Sequence, residues 1–506
     1  MNIHSFLEHH GIVRSPFAEE DAQTDQVFKE HCIRSAYHPI WDKVYGDPKE
    51  PSTSIIFGPK GSGKTAMRLQ IDQHLSRFNQ ENPGHRVFVI RYDDFNPFLD
   101  HFCDRMSRRT VKRPEKVLEA WRLWDHMDAI LCLGVTDLVD RILGNKIANH
   151  SNAISETISE SAVQNLDRSA ARDLLLLATS YDQSTASTVT DRWHGLRQKL
   201  RYRNLQAKWP FALSIGSAVL SIVLSTWLMV SQRGDTEEGG AMNPGFLWLI
   251  PILTFIGSLP WLTRWIKCQL AAMGIHRHMR VGKRETGSLR KILLQFPAKE
   301  IASQPLPRFD RTDDRYELLN KFQLILKRLG FDGVVVLMDR VDEPHLTGGK
   351  AELMQRFTWP ILDNKLLKHP GLGFKIMLPQ ELHREVERET REFHERARLD
   401  KQNVIPAFQW TGESLYDLAR ARMLACAAEG RSPEPKDLFG PDISEERLLA
   451  AFQSLRVPRH LFRLLYRVLV DHCNRHTDSQ PVYQIRSETF EAALALYNRE
   501  TEQGLQ

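Results

Sequence analysis

The segment Ser52–Gln70, STSIIFGPKGSGKTAMRLQ, constrains the fold of this 506-residue chain more than any other stretch. It opens with a short β-branched and apolar run, which is typical of a buried strand. Behind its centre, Met67, Ile71 and Leu75 recur at a spacing of four residues, which predicts a helix. The centre matches G-x-x-x-x-G-K-[ST] without a gap, and the matching residues are Gly58, Pro59, Lys60, Gly61, Ser62, Gly63, Lys64 and Thr65.

A strand, a glycine-rich loop and a helix in this order form a phosphate-binding element. The glycines let backbone N–H groups turn inward around phosphate groups, and the helix N-terminus adds a favourable dipole. We expect Lys64 to reach the outer phosphates and Thr65 to hold Mg²⁺. The alternative is a glycine-rich turn that matches by accident, but the flanking strand and helix favour the phosphate-binding interpretation. The element predicts an α/β fold with a parallel sheet flanked by helices.

A second segment, FDGVVVLMDRVDEP, supplies the acidic residues that such a loop needs. The continuous apolar run 334–338 is typical of a strand buried on both faces of a parallel sheet. Asp339 follows at the strand end, where such sheets bind ligands, and we expect it to hold Mg²⁺ with Thr65, across adjacent strand ends. Asp342 and Glu343 are candidates to orient or activate an attacking water. The alternative interpretation is an acidic turn after a core strand.

The apolar run followed by D-x-h-D-E, where h is apolar, resembles AAA+-related ATPases of the STAND and origin-recognition groups, and is similar to KAP-family P-loop NTPases. The resemblance covers roughly residues 14–100 and 311–500, and it implies ATP and Mg²⁺ as ligands and ATP hydrolysis as the activity. One position departs from the pattern, because Arg340 stands where these families usually have a second acid. The departure leaves open which acid activates water.

The resemblance also implies sensor residues in the C-terminal third. The apolar run 374–378 predicts another core strand, after which Gln380 takes the place of a polar sensor for the terminal phosphate. Thr411 is expected to cap a following helix, with Ser414 alongside. The segment SLRVPRHLFRLL is similar to a helical-lid motif and puts Arg459 where it would contact phosphate from the lid. The alternative for Arg459 is a surface arginine on an amphipathic helix.

Two apolar segments, at about 211–230 and 246–263, lie between the phosphate-binding loop and the acidic strand. A helix of about 20 residues spans about 30 Å, the thickness of a bilayer core. We therefore predict a two-helix transmembrane hairpin within a helical insertion, a layout shared with KAP-type NTPases. The alternative is a pair of buried core helices. Tryptophans stand near the segment ends, as interfacial aromatics do: Trp209, Trp227, Trp248, Trp261 and Trp265.

The charges around these segments predict an orientation. The connecting loop contains one basic residue, Arg233, and three acidic residues, Asp235, Glu237 and Glu238. Lysine and arginine cluster on the cytoplasmic side of membrane segments, so we expect two spans in the inner membrane with both termini in the cytoplasm. The flanking basic residues are Arg192, Arg197, Lys199, Arg201, Arg203 and Lys208 before the first segment, and Arg264, Lys267, Arg277, Arg280, Lys283, Arg284, Arg290 and Lys291 after the second.

These features divide the chain into four predicted parts. Residues 1–110 and 296–435 form the two halves of the nucleotide-binding core, 111–295 the helical insertion with the hairpin, and 436–506 a C-terminal helical lid. The six cysteines are scattered and form no CxxC pair, so we expect reduced thiols without a metal site.

The favoured function is a membrane-anchored, cytoplasm-facing ATPase that couples nucleotide-driven change to the bilayer or to partners, in a defence or signalling setting by analogy with STAND and KAP relatives. A nucleotide-gated pore or leak former and a low-turnover ATP switch are alternatives. An origin-recognition-like DNA binder ranks last, because no helix carries clustered base-contacting residues. We expect a homo-oligomer or a partner protein. Arg398 is a candidate arginine finger for a neighbouring subunit, with a solvated helix face as the alternative.

Overall fold

The chain forms two compact units in the computed structural model, which describes residues 1–145, 158–203, 205–234, 245–302 and 304–502. The core unit comprises Met1–Phe95, Pro114–Glu119 and Phe331–Gln506. The insertion unit comprises Asn96–Arg113 and Ala120–Gly330. Residues 96–110 and 296–330, assigned above to the nucleotide-binding core, thus belong to the insertion unit.

The centre of the core unit is one sheet of five parallel strands in the order β2-β3-β4-β1-β5. The α/β class and the parallel sheet flanked by helices are confirmed. The continuous apolar runs explain the arrangement, because a strand buried on both faces has no polar side. The strands are β1 (Ser54–Gly58), β2 (Arg86–Tyr92), β3 (Phe331–Met338), β4 (Leu372–Pro379) and β5 (Asn403–Ile405).

Helices make up most of the remaining structure. Those of the core unit are the first four, the seventh and the seventeenth onward; the others belong to the insertion unit. In chain order they are α1 (Ile3–His9), α2 (Gln26–Glu30), α3 (Trp41–Tyr45), α4 (Lys64–Glu81), α5 (Asn96–Cys103), α6 (Arg108–Val111), α7 (Pro114–Glu119), α8 (Leu123–Leu143), α9 (Glu160–Gln164), α10 (Arg168–Tyr181), α11 (Val189–Lys199), α12 (Leu205–Gly234), α13 (Gly245–His278), α14 (Thr286–Leu293), α15 (Ala298–Ala302), α16 (Thr312–Arg328), α17 (Ala351–Thr358), α18 (Asn364–Leu367), α19 (Gln380–Glu387), α20 (Arg391–Ala397), α21 (Gly412–Ala425), α22 (Glu445–Leu455), α23 (Pro458–Arg475) and α24 (Ser487–Glu502).

Helix α4 packs one face of the sheet. The residues at four-residue spacing in the sequence, Met67, Ile71 and Leu75, are buried in one apolar cluster to which all five strands contribute side chains. Because this face of α4 is fixed against the sheet, the helix N-terminus is held beside the carboxyl end of β1. That placement sets the position of the glycine-rich loop between them.

The N-terminal segment packs against the C-terminal helices of the core unit. Phe6, Leu7 and Phe17 are buried in the same apolar cluster as helices α21–α24. Arg422 on α21 donates a hydrogen bond to the Pro16 carbonyl (2.6 Å) and pairs with Asp25 (2.5 Å). The N-terminal segment therefore belongs to the same apolar core as these helices.

Buried ion pairs hold the helices of the insertion unit together. Arg315 on α16 pairs with Asp128 on α8 at 3.0 Å, and the Tyr181 hydroxyl donates to the same carboxylate at 2.7 Å. Arg192 on α11 pairs with Asp140 on α8 at 2.7 Å and with Asp182 at 2.8 Å. Because losing one partner would leave a buried charge unpaired, these pairs make the packing of α8, α10, α11 and α16 strongly specific.

Helices α12 and α13 pack along each other within the insertion unit. They approach closely where a Cβ on Gly257 would lie 2.3 Å from the Ser217 Cβ. Among the described residues one stretch, Ala207–Trp227, is long and apolar enough to cross a membrane; core helices of soluble proteins also meet this criterion, but only 6% of this stretch is buried. Asp235, Glu237 and Glu238 of the connecting loop, and the side chain of Trp248, lie outside the described residues.

A buried lysine interrupts the apolar centre of the sheet. Lys375 lies on β4 between Ser54 of β1 and Leu337 of β3, and it is 2% exposed. Within the described structure its Nζ has no hydrogen-bond partner. Burial lowers the pKa of Lys375 to about 8, because a low-dielectric interior disfavours the charged form.

We predict that Lys375→Met stabilises the core unit at pH 7. A folded-state pKa of about 8 against an unfolded value of about 10.4 means that the unfolded chain binds more protons between these pH values. Wild-type stability should therefore rise as pH increases from about 8 to 10, and removing the amine should add about 3 kcal/mol at pH 7. Urea unfolding at pH 7 and pH 9 measures both effects.

The exposed Lys368 supplies the matched control. Lys368→Met should leave the free energy of unfolding unchanged to within about 0.5 kcal/mol. A Lys375→Met variant less stable than wild type at pH 7 would contradict the prediction.

Candidate functional site

The glycine-rich loop between β1 and α4 contains two glycines in the left-handed backbone region. Gly61 and Gly63 have φ values of +83° and +95°, a region that glycine enters without steric cost. Lys64 Nζ donates hydrogen bonds to the carbonyls of Gly58 (2.7 Å) and Pro59 (3.0 Å). The lysine therefore folds back over the loop, with its ammonium at the carboxyl end of β1.

Two aromatic residues after β5 support the loop from behind. Phe408 N donates to the Phe57 carbonyl (2.7 Å), and Trp410 Nε1 donates to the Ser62 carbonyl (2.8 Å). A Cβ on Gly58 would lie 2.8 Å from the Phe408 Cβ, so only glycine fits there. These contacts use carbonyl groups and none of the loop N–H groups; within the loop, the Ser62 N–H donates to the Pro59 carbonyl at 3.2 Å.

Thr65 and Asp339 meet although they are far apart in the sequence. Thr65 Oγ1 donates a hydrogen bond of 2.8 Å to Asp339 Oδ2. The expectation that they follow adjacent strands is wrong, because β4 lies between β1 and β3. Thr65 reaches Asp339 because it lies on the first turn of α4, beyond the strand itself.

Burial governs the charges of this centre. Asp339 is 2% exposed, and burial raises its pKa; Arg68, the Thr65 hydroxyl and Lys64 oppose that rise. Burial also lowers the pKa of Lys64, which the carboxylates of Asp339, Asp342 and Glu381 oppose. Each charge is thus compensated by opposite charge from other elements.

Arg340 occupies a strained turn directly after Asp339. Its φ is +65°, which costs an L-residue of this kind about 1–2 kcal/mol. Its Nε lies 3.3 Å from Glu343 Oε1. Burial raises the pKa of Glu343, and the Arg340 charge opposes that rise. Arg340, which stands where a second acid was expected, therefore pairs with Glu343, one of the two candidate general bases.

Gln380 stands beside the loop but is already bonded. It follows Pro379, which pairs with Gly58 in the sheet register. Its Nε2 donates to the Pro406 carbonyl at 2.8 Å, and its Oε1 has no partner among the described residues. The amide thus has one free acceptor at the edge of the loop.

Arg459 lies against the loop from the lid. The Arg459 N–H donates to the Gly61 carbonyl (3.3 Å). A Cβ added to Gly61 would lie 2.7 Å from the Arg459 Cβ. Its Nε is 3.8 Å from Glu20, a carboxylate that Arg463 also binds at 2.7 Å. The lid arginine is therefore next to the loop and shares an acid of the N-terminal segment.

The donor atoms at Thr65 and Asp339 fit Mg²⁺. A hydroxyl and a carboxylate are hard oxygen ligands, and Mg²⁺ commonly uses one or two protein oxygens together with phosphate oxygens and water. The adjacent Ser62 Oγ is buried with no partner among the described residues. The residues Gly58, Pro59, Lys60, Gly61, Ser62, Gly63, Lys64 and Thr65 form the continuous segment that links the end of β1 to the first turn of α4.

Two participants were missed from the sequence. Arg68 is 3% exposed and contacts Asp339; its spacing of three residues from Thr65 on a predicted helix was the available signal. Glu20 had no such signal, since it reaches Arg459 through the folding of the lid. The finger candidate Arg398 lies 3.5 Å from Asp400 of its own chain, with a side chain 40% exposed.

Comparisons with protein-family models, with curated proteins and with solved structures gave no match to this chain.

Proposed function

We propose that this protein is a membrane-anchored ATPase that binds ATP and Mg²⁺ at the loop between β1 and α4. The observation that carries the proposal is the 2.8 Å contact between Thr65 and Asp339 beside Lys64. It brings a cation, a hydroxyl and a carboxylate to the N-terminus of a helix whose first N–H groups have no intrahelical acceptor. This combination suits a triphosphate with its metal better than it suits a structural turn.

Each side chain has a separate role in the proposed reaction. Lys64 would exchange the loop carbonyls for the outer phosphates, and Thr65 and Asp339 are the residues that would hold Mg²⁺. Mg²⁺, when bound, neutralises charge on the phosphate oxygens. Gln380 and Arg459 contact the terminal phosphate from the sheet and from the lid. Asp342 or Glu343 accepts the proton of the attacking water.

Removing the loop lysine should abolish nucleotide binding. Lys64→Ala deletes the ammonium that is held at the carboxyl end of β1, and the ATP affinity should fall at least about 100-fold, from the loss of a charge-assisted contact worth roughly 3 kcal/mol. Fluorescent-ATP titration of the full chain in detergent measures it.

Lys43→Ala is the control, because Lys43 is an exposed lysine of the core unit outside the loop. It should change the ATP affinity by less than about threefold. Unchanged ATP affinity in Lys64→Ala would remove the proposed site.

The surface of α12 supports membrane anchoring. The least exposed described positions of its apolar stretch include Ser214, Ser217, Ser221 and Ser225, one stripe at helical spacing. Three of these hydroxyls donate to carbonyls of their own helix. Apolar side chains on the other faces are exposed, such as Val219 (54%) and Ile222 (63%). Small polar residues between the helices and apolar residues on the outward face are typical of helices in a bilayer. In water, an exposed apolar surface of this kind would be unfavourable.

Charges on the outward face should release the chain from membranes. Val219→Lys with Ile222→Lys places two ammonium groups in the apolar stretch, each costing about 3 kcal/mol at a membrane centre. We expect the protein to move from the carbonate-resistant membrane fraction to the extractable fraction.

Val13→Lys with Leu324→Lys is the control, since both residues are exposed apolar side chains (51% and 60%) outside α12 and α13. This pair should not change fractionation. A wild-type chain fully extracted by carbonate would refute the anchor and leave the ATP site unaffected.

A low-turnover switch is the second candidate, favoured by the Arg340–Glu343 pair at 3.3 Å. A carboxylate engaged by an arginine is a weaker base for water. Under this candidate ATP binding changes the conformation, and hydrolysis only resets it.

Glu343→Gln separates the two functions. If Glu343 is the general base of an active ATPase, phosphate release should fall about 100-fold or more while ATP binding persists. Asp342→Asn, measured in parallel, is the comparison at the other candidate base. Slow wild-type release that neither variant changes would favour the switch.

A further inference from the structure

Arg68 joins two carboxylates at the ends of neighbouring strands. Its Nη1 lies 2.8 Å from Asp93 Oδ2, and its Nε lies 3.5 Å from Asp339 Oδ2. The side chain of Arg68 is 4% exposed and that of Asp339 is 3% exposed, while Asp93 is 27% exposed. The guanidinium is thus almost enclosed, with solvent reaching mainly its Asp93 partner.

The fold dictates this arrangement. Strands β2 and β3 are parallel neighbours, and Tyr92 pairs with Met338 in their register. The next residues, Asp93 and Asp339, therefore leave the sheet side by side at its carboxyl edge. Arg68 follows Thr65 by three residues on α4, so both side chains point to the same face of the helix.

Arg68 is bound more closely by Asp93 than by Asp339. The 2.8 Å contact with Asp93 is a close ion pair, whereas 3.5 Å to Asp339 is long, and Arg68 Nε has no hydrogen-bond partner among the described residues. Asp339 Oδ2 accepts its hydrogen bond from Thr65 instead. Asp93 therefore anchors the guanidinium, which acts on Asp339 mainly through its charge.

We propose that Arg68 is a positioning residue that makes divalent-cation binding at Asp339 depend on bound ATP. This inference rests on the proposed function, since it concerns the same site. A positive charge beside Asp339 opposes a second cation until phosphate groups add negative charge there. Asp93 offsets part of that positive charge and so adjusts the affinity for the cation.

Two substitutions should shift cation affinity in opposite directions. Arg68→Gln removes the opposing charge, and the Mn²⁺ dissociation constant without nucleotide should fall about tenfold. Asp93→Asn leaves Arg68 uncompensated, and the same constant should rise about tenfold. Electron paramagnetic resonance of Mn²⁺ added to the full chain in detergent measures both, with and without a non-hydrolysable ATP analogue.

Controls separate charge from folding. Arg68→Lys keeps a positive charge between Asp93 and Asp339, so its electrostatic effect on the cation is retained and it should bind Mn²⁺ within about threefold of wild type. Arg77→Gln removes an exposed arginine of the same helix, which pairs with Glu81 at 2.7 Å, and should have no effect. Arg68→Gln leaves the buried Asp339 without its arginine, which can prevent folding. In that case Mn²⁺ binding by Asp93→Asn and Arg68→Lys still tests the inference.

The outcomes distinguish this inference from the proposed function. Shifts of the same sign in Arg68→Gln and Asp93→Asn, or no shift in Asp93→Asn, would show that Arg68 has only a structural role and overturn the inference. A wild-type chain that binds no ATP analogue, with or without Mn²⁺, would instead overturn the function itself.

Discussion

Parallel pairing of strands from distant parts of the chain is the constraint on which the structure depends. β1 and β2 precede the insertion unit, and β3, β4 and β5 follow it, yet all five run in one direction in one sheet. All carboxyl ends therefore meet at one edge, as ligand-binding α/β sheets require. Asp93, Asp339 and Gln380 follow three different strands and gather at this edge beside Lys64 and Thr65.

The sequence anticipated the elements whose chemistry is local. The loop at Gly58–Thr65, the strand before Asp339 and the cap at Thr411 each depend on neighbouring residues, and the cap forms with Ser414 as expected. The order of the strands in the sheet could not be predicted from the sequence, because no local pattern places β4 between β1 and β3. The contact between Glu20 and Arg459 joins residues near opposite ends of the chain, and only the assembled lid brings them together.

Charge compensation is the common principle of both units. In the core unit Arg68, Lys64 and Arg340 lie among the acids of the site. In the insertion unit buried arginines pair with Asp128, Asp140 and Asp182. An interior with such pairs tolerates little rearrangement, since each broken pair leaves a charge in a poor solvent. Lys375, whose Nζ has no hydrogen-bond partner among the described residues, lacks such compensation, and its cost falls on the stability of the sheet.

The position of the insertion has a consequence for biosynthesis. β1 and β2 emerge from the ribosome first, but their partner strands follow only after residue 330. At about 5–20 residues per second, the apolar strands wait roughly ten to fifty seconds. Phe6, Leu7 and Phe17 wait longer, until α21–α24 complete their cluster. The nascent chain thus exposes apolar surface and unpaired strand edges while its apolar helices are being made, and such surface favours aggregation until β3 is available.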